Sequence, residues 1–126
     1  QQIVAIERGQ SDPVIRVGNL KAERDFTDVR DTVRGYVLAL ENGKLGEVYN
    51  IASGVVHSIS DLLNGLLAHA QREIEIEIDP ARFRPSDIPR LHGDAAKLRA
   101  ITGWQPTIPF EKTLQDLLQY ERENLK

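Results

Sequence analysis

The side chains in this chain best suited to hold an anion are arginines beside turns. Arg24 stands in an Arg-Asp-Phe-Thr-Asp stretch between a polar turn and a helix start. Arg82, Arg84 and Arg90 share one proline-containing loop, with Asp87 three residues after Arg84. A guanidinium stays charged and presents a fork of N–H donors that matches phosphate oxygens. Two arginines from distant segments can clamp a diphosphate. Surface pairing with Asp25, Asp28 or Asp87 accounts for the same residues, and residue type alone leaves both readings open.

Other chemistries are poorly provided for. The 126 residues contain no cysteine, which excludes disulfides and thiolate metal sites and suits a cytoplasmic protein. His57, His69 and His92 lie on separate segments, without metal-ligand spacing. Glu73, Glu75 and Glu77 diverge along one strand face and read as a solvated row. No glycine-rich loop leads from a strand into a helix, so the dinucleotide fingerprint is absent. None of Tyr36, Tyr49 and Tyr120 has a lysine four residues later. A formal net charge of −3 argues against a nucleic-acid or anionic-membrane surface. No apolar run approaches a membrane span.

The elements that must position the arginines follow from periodicity and turn chemistry. Gln1 to Arg8 reads as a helix end stopped by Gly9, and Val14 to Val17 as a short strand. Asp28 is a good N-cap, and Asp31 falls at a capping-box position. Val29, Val33, Tyr36, Val37 and Leu40 then share one helical face, with Gly35 inside the helix marking a close approach. Asn42-Gly43 ends it. Glu47 to Ala52 and Val55 to His57 read as strands. Ser58 with Asp61 caps a second helix carrying Leu62, Leu63, Leu66 and Leu67. Glu73 to Asp79 alternates as a half-buried strand, and Ala81 to His92 reads as an extended loop. Asp94 starts a short helix through Leu98 and Ile101 that stops at Gly103. Pro109 opens a last helix with Phe110, Leu114, Leu117, Leu118 and Leu125 inward.

Alternating strands and helices make the class α/β. The length suffices for one domain with a core, yet the strands offer too small a sheet for the helices to cover. The chain has no methionine, and Gln1 opens inside a helical pattern. We therefore expect a piece of a larger protein.

The motifs, taken in order, carry a family resemblance. They are Gly18-Asn19-Leu20, Arg24-Asp25-Phe26-Thr27-Asp28-Val29-Arg30-Asp31, Tyr49-Asn50-Ile51-Ala52-Ser53-Gly54, Arg84-Pro85-Ser86-Asp87, Gly93-Asp94 and Thr102-Gly103-Trp104-Gln105-Pro106. Together they resemble the C-terminal portion of extended short-chain dehydrogenases/reductases acting on nucleotide sugars, the NAD-dependent epimerase/dehydratase family. The wording Asp-Phe-Thr-Asp-Val favours the reductases of GDP-4-keto-6-deoxy-mannose-type sugars within it, with 4-epimerases and 4,6-dehydratases as alternatives. A noncatalytic nucleotide-binding or protein-interaction module is the alternative of another class.

The resemblance implies that catalytic residues and most of the NAD(P) site lie outside this chain, which alone is expected to be inactive. It implies a substrate-binding set of Ile15, Val17, Asn19, Arg24, Arg84 and Asp87. Arg24 and Arg84 would meet the diphosphate, Asp87 the ribose or its own loop, and the strand of Ile15 and Val17 would lie along the base. Arg82 and Arg90 match no motif and read as surface residues. The implied division is residues 1–28 and 53–126 as substrate-binding part, with 29–52 as a helix and strand returning to a Rossmann sheet absent from this chain. The implied partners are a GDP-sugar, the Rossmann half and a second copy in a homodimer, with no nucleic acid and no membrane.

Overall fold

The structure, a computed structural model, describes residues 1–83 and 88–125. Among the described residues, five α-helices are interspersed with five short strands, which form two small sheets. Helix α1 (Gln2–Glu7) ends at Arg8, and Gly9 takes the left-handed φ of 71° that releases the chain. Strand β1 (Val14–Val17) pairs in parallel with β4 (Glu75–Ile78), Ile15 opposite Ile76. A second sheet has the order β3-β2-β5. In it β2 (Glu23–Asp25) runs antiparallel to β3 (Val56–Ser58) and parallel to β5 (Arg90–Leu91). Helices α2 (Val29–Asn42), α3 (Ile59–Leu67), α4 (Ala96–Thr102) and α5 (Phe110–Asn124) complete the chain.

Helix starts follow the cap residues read from the sequence, with one substitution of role. Asp28 accepts the Arg30 amide at 2.9 Å, and Ser58 and Asp61 form a full capping box. Asp31 completes no box. Its carboxylate turns away from its own helix start and accepts the amides of Thr107 and Ile108, each at 2.9 Å, the Thr107 hydroxyl and the Arg34 guanidinium. The α4 start also shifts by a residue: Ala95 is the cap residue, and Asp94 accepts the Ala96 amide.

Two apolar clusters form the core. The first gathers Ile3, Val4 and Ile6 of α1, Ile15 of β1 and Leu118 of α5, with Leu66, Leu67 and Ile74 against it. The second stacks Leu98 and Trp104 on Leu38, Ala39, Tyr49 and Ile51. The inner face of α2 is small or polar. A Cβ on Gly35 would lie 2.8 Å from Ile51 Cδ1 and 3.1 Å from Trp104 Nε1, which explains glycine at a helical position. Trp104 Nε1 donates to the Asp31 carbonyl at 3.0 Å.

The sheets differ from expectation in three places. Residues 47–52 join no ladder among the described residues, although their pattern is β-rich. A ladder needs a partner strand, and among the described residues none pairs with this stretch. The loop over 81–92 is partly regular, with a 3-10 turn Pro80–Arg82 and β5. Strand β2 was invisible to periodicity because Glu-Arg-Asp has no apolar alternation. Leu117, read as inward, is exposed, and so is Ile78, on the apolar side of the alternating 73–79 stretch.

The apolar stripe of α2 faces outward. Val29, Val33, Tyr36, Val37 and Leu40 are between 50% and 86% exposed, while Asp31 and Gly35 are its buried residues. At about 25 cal/mol per Å², such a stripe left in water forfeits several kcal/mol, comparable to a domain's net stability. The isolated 126-residue chain is therefore expected to bind a hydrophobic dye and to self-associate; a sharp, cooperative melt as a monomer would contradict this.

Asp31 gives a second prediction. Burial pushes its carboxyl up, but the bonds from Arg34, Ile108 and Thr107 outweigh it, so its pKa lies below the ordinary value. A carboxyl depressed in the folded state stabilises fully above its unfolded pKa, and that contribution is lost as pH falls through the folded value. Asp31→Asn should cost about 2–4 kcal/mol near neutral pH and flatten the loss of stability below roughly pH 4. Urea unfolding of the intact protein across that range checks both.

Candidate functional site

The anion-binding candidate is built on β2. Arg24 sits mid-strand, opposite His57 of β3 and Leu91 of β5. Its guanidinium is held at Nη1, which donates to the Glu23 carbonyl at 2.8 Å and the Ile88 carbonyl at 2.7 Å. The half-buried arginine thus bridges from β2 to the residue that follows the Arg84–Asp87 motif. Arg84 and Asp87 themselves lie outside the described residues.

The other expected site residues border the same region. The Val17 carbonyl accepts the Asp79 amide at 2.8 Å. A Cβ on Gly18 would lie 2.6 Å from the Arg82 carbonyl oxygen, so the 3-10 turn seats directly on Gly18. Asn19 Oδ1 accepts the Lys21 amide at 2.9 Å and shapes the turn into β2. Ile15 differs. Its side chain is 5% exposed and faces the first core cluster, so any contact it makes with a ligand must come from main chain. Val17 thus meets Asp79 and Arg24 meets Ile88, Asn19 shapes the turn between β1 and β2, and Ile15 lies in the core beneath β1. Arg82 pairs with Asp79 and Arg90 with Glu23, both largely exposed.

Asp25, on the opposite face of β2, joins three segments. Its carboxylate accepts the Ser53 amide at 2.8 Å, the Ser53 hydroxyl at 2.6 Å, the Gly54 amide at 2.9 Å and the Gly93 amide at 3.4 Å. Burial pushes this carboxyl up, but the bonds from Ser53, Gly54 and Gly93 leave it below the ordinary aspartate value. Sequence reasoning gave Asp25 a place in a motif and a possible surface pairing with an arginine, not this role. The signal was a carboxylate one residue from a candidate ligand arginine, within a strand too short to show alternation.

Asp28 anchors the other end of the bridge. Its carboxylate takes Nε and Nη2 of Arg30 at 2.9 and 2.8 Å and the Thr113 hydroxyl at 2.8 Å. The Arg30 fork holds its pKa far below the usual carboxylate range, against the opposing effect of burial. These contacts fix the start of α2 to α5.

An open cleft of about 660 Å³ lies on the Asp25 side, with Thr27, Tyr36, Tyr49, Asn50 and His92 in its walls. His92 Nε2 lies 3.1 Å from the Gly54 carbonyl. A smaller groove of about 350 Å³ lies by Phe26 and His57, and the His57 ring stacks on Phe110 at 4.0 Å. Hydroxyls, an amide and an imidazole around the larger cleft suit a neutral polar ligand, and Arg24 on the far face of the strand suits an anionic one. Among the described residues no helix is long and apolar enough to cross a membrane.

Comparison with known proteins places this arrangement. The chain superposes on RMD from Pseudomonas aeruginosa, solved in complex with NADPH. The TM-score is 0.89 at 34% identity, covering 97% of this chain and 40% of that one. UDP-glucose 4-epimerase from Bifidobacterium longum, solved with NAD+ and UDP, shares the fold at a TM-score of 0.81 and 21% identity, over 98% of this chain and 38% of that one. The fold is that of the extended short-chain dehydrogenases/reductases of the epimerase/dehydratase type.

In sequence the chain is 37% identical over 118 residues to the GDP-6-deoxy-D-mannose reductase of Pseudomonas aeruginosa, covering 94% of this chain and 39% of that protein. It is 32% identical over 113 residues to GDP-mannose 4,6 dehydratase 2 of Arabidopsis thaliana, covering 87% and 30%. Residues 1–117 match the family model described as GDP-mannose 4,6 dehydratase, and the chain belongs to that family. It spans between 30% and 40% of the length of these relatives.

Proposed function

We propose that this chain is the nucleotide-sugar-holding portion of an NAD(P)-dependent reductase. The parent would convert a GDP-4-keto-6-deoxy-mannose-type sugar to GDP-6-deoxy-mannose, working as a cytoplasmic homodimer. The observation that carries the reading is the 37% identity to a GDP-6-deoxy-D-mannose reductase over 94% of the chain. At residue level the support is Arg24, anchored to the Ile88 carbonyl and so to the end of the Arg84–Asp87 motif.

In this reading residues 1–28 and 53–126 hold substrate, and 29–52 return to a Rossmann sheet outside the chain. The exposed stripe of α2 and the ladderless stretch 47–52 support that division, because each has a face that these residues leave uncovered. The nicotinamide cofactor, which supplies the hydride to the C4 keto carbon, would also be held outside the chain. The lack of a glycine-rich strand-to-helix loop in this sequence supports that placement.

This chain's own contribution is binding and orientation. Arg24 and Arg84 would neutralise the diphosphate from two segments. Binding energy at the diphosphate then fixes a sugar carbon several bonds away, which a reaction at C4 requires. Val17 and Asn19 would present main chain and amide to the nucleoside end.

The family match and the likeness to a plant GDP-mannose 4,6 dehydratase favour one second reading, a 4,6-dehydratase. The two reactions separate on redox balance. Reduction of a ketone consumes one NAD(P)H per turnover, whereas loss of water from GDP-mannose is redox-neutral overall. The full-length parent, given GDP-4-keto-6-deoxy-mannose and NADPH, should oxidise the cofactor stoichiometrically. Arg24→Ala and Arg84→Ala should each raise the KM for the nucleotide sugar about 10–100-fold with kcat largely kept, the loss expected for a charged hydrogen-bonded contact. Unchanged kcat/KM in both variants rejects the clamp.

A further inference from the structure

We propose that Asp25 is a positioning residue that sets Arg24 against the rest of the site. The inference rests on the diphosphate role proposed above for Arg24. Strand β2 is three residues long and pairs over three positions with β3 and two with β5. Such brief ladders leave the strand free to rock, and a long side chain magnifies any rotation at its Cα. Asp25 supplies the missing restraint one residue away.

Its four hydrogen bonds come from two places that leave the sheet in different directions. Ser53 and Gly54 end the run arriving from α2, and Gly93 follows β5. The junction is tight: a Cβ on Gly93 would lie 2.3 Å from the Ala52 Cβ and 3.6 Å from Asp25 Oδ2. On the other face of β2, Arg24 is held by the Glu23 and Ile88 carbonyls. The strand is thus fixed from both sides, by a carboxylate staple behind and carbonyls in front.

The four partners match the roughly four acceptor positions of a carboxylate. Asp25 therefore needs no contact with substrate and acts through Arg24. Ser53 and Gly54, which it grips, follow directly on the 29–52 segment that the proposed function sends towards the catalytic half. Asp25 is then the link that registers the diphosphate arginine to the reacting carbon, where small errors are costly.

A double-mutant cycle in the full-length parent tests this, reading KM for the nucleotide sugar and kcat in Arg24→Ala, Asp25→Asn and the double variant. Asp25→Asn is expected to raise KM about tenfold with kcat within about twofold, and to add nothing further in the Arg24→Ala background. Additive effects, or an Asp25→Asn enzyme with unchanged KM, overturn the proposal while leaving the Arg24 clamp standing. An Arg24→Ala enzyme with unchanged KM takes Arg24 out of the clamp and overturns this inference with it. Should Asp25→Asn fail to fold, Ser53→Ala removes one of the four donors to Asp25, along with the hydroxyl's local bonds to Val55. It should raise KM about two- to threefold, and that rise should vanish beside Arg24→Ala. A rise that persists there overturns the proposal.

Discussion

A buried carboxylate must find its donors within the protein, because water no longer reaches it. Asp31 is 1% exposed and meets that demand with the amides of Thr107 and Ile108, the Thr107 hydroxyl and Arg34. Much else follows from this. The 104–108 segment is drawn against α2, Trp104 is brought beneath the helix where its Nε1 reaches the Asp31 carbonyl, and the second core cluster closes around that ring. Removing a donor would leave the buried Asp31 carboxylate short of a partner, which costs more than the bond contributes when made.

Asp31 is the last of three aspartates at steps of three. Asp25 grips the 53–54 turn and Gly93, Asp28 grips Arg30 and Thr113, and Asp31 grips 104–108. Each reaches a different part of the chain. The nine residues from Glu23 to Asp31 therefore carry a strand, a helix start and three long-range anchors. Arg24 sits among them with little freedom. In the proposed role such a setting would help a cation meet a diphosphate, since geometry fixed before the ligand arrives reduces the ordering entropy lost on binding.

The sequence revealed elements whose signal is local and concealed those defined by a partner. Ser58 with Asp61, Gly9 and Gly103 announced their caps and stops, and β1 showed its apolar character in its own residues. β2 and β5 have no such character: Glu-Arg-Asp and Arg-Leu become strands because neighbouring carbonyls and amides lie at ladder distance. Residues 47–52 are the converse, a good strand pattern without a ladder. Arg24 was legible as a candidate from charge and motif. Asp25 was not, because its partners at 53, 54 and 93 are far away in sequence.

Helix α2 carries this lesson furthest. Periodicity placed Val29, Val33, Tyr36, Val37 and Leu40 on one face, and they do share it. What periodicity cannot state is which way that face turns. The inner face holds Asp31, Gly35, Leu38 and Ala39, chosen for close approach to Trp104 and Ile51 and for the carboxylate anchor. Two demands are met on opposite sides of one helix, and the polar one wins the interior of this chain. An unpaired buried carboxylate costs more than an exposed valine, so the anchor dictates the rotation of the helix and the apolar stripe takes the side that remains. An apolar stripe on that side forfeits the free energy of its burial. The same residues that orient Arg24 thus turn outward the face that, in the proposed function, would meet the Rossmann half.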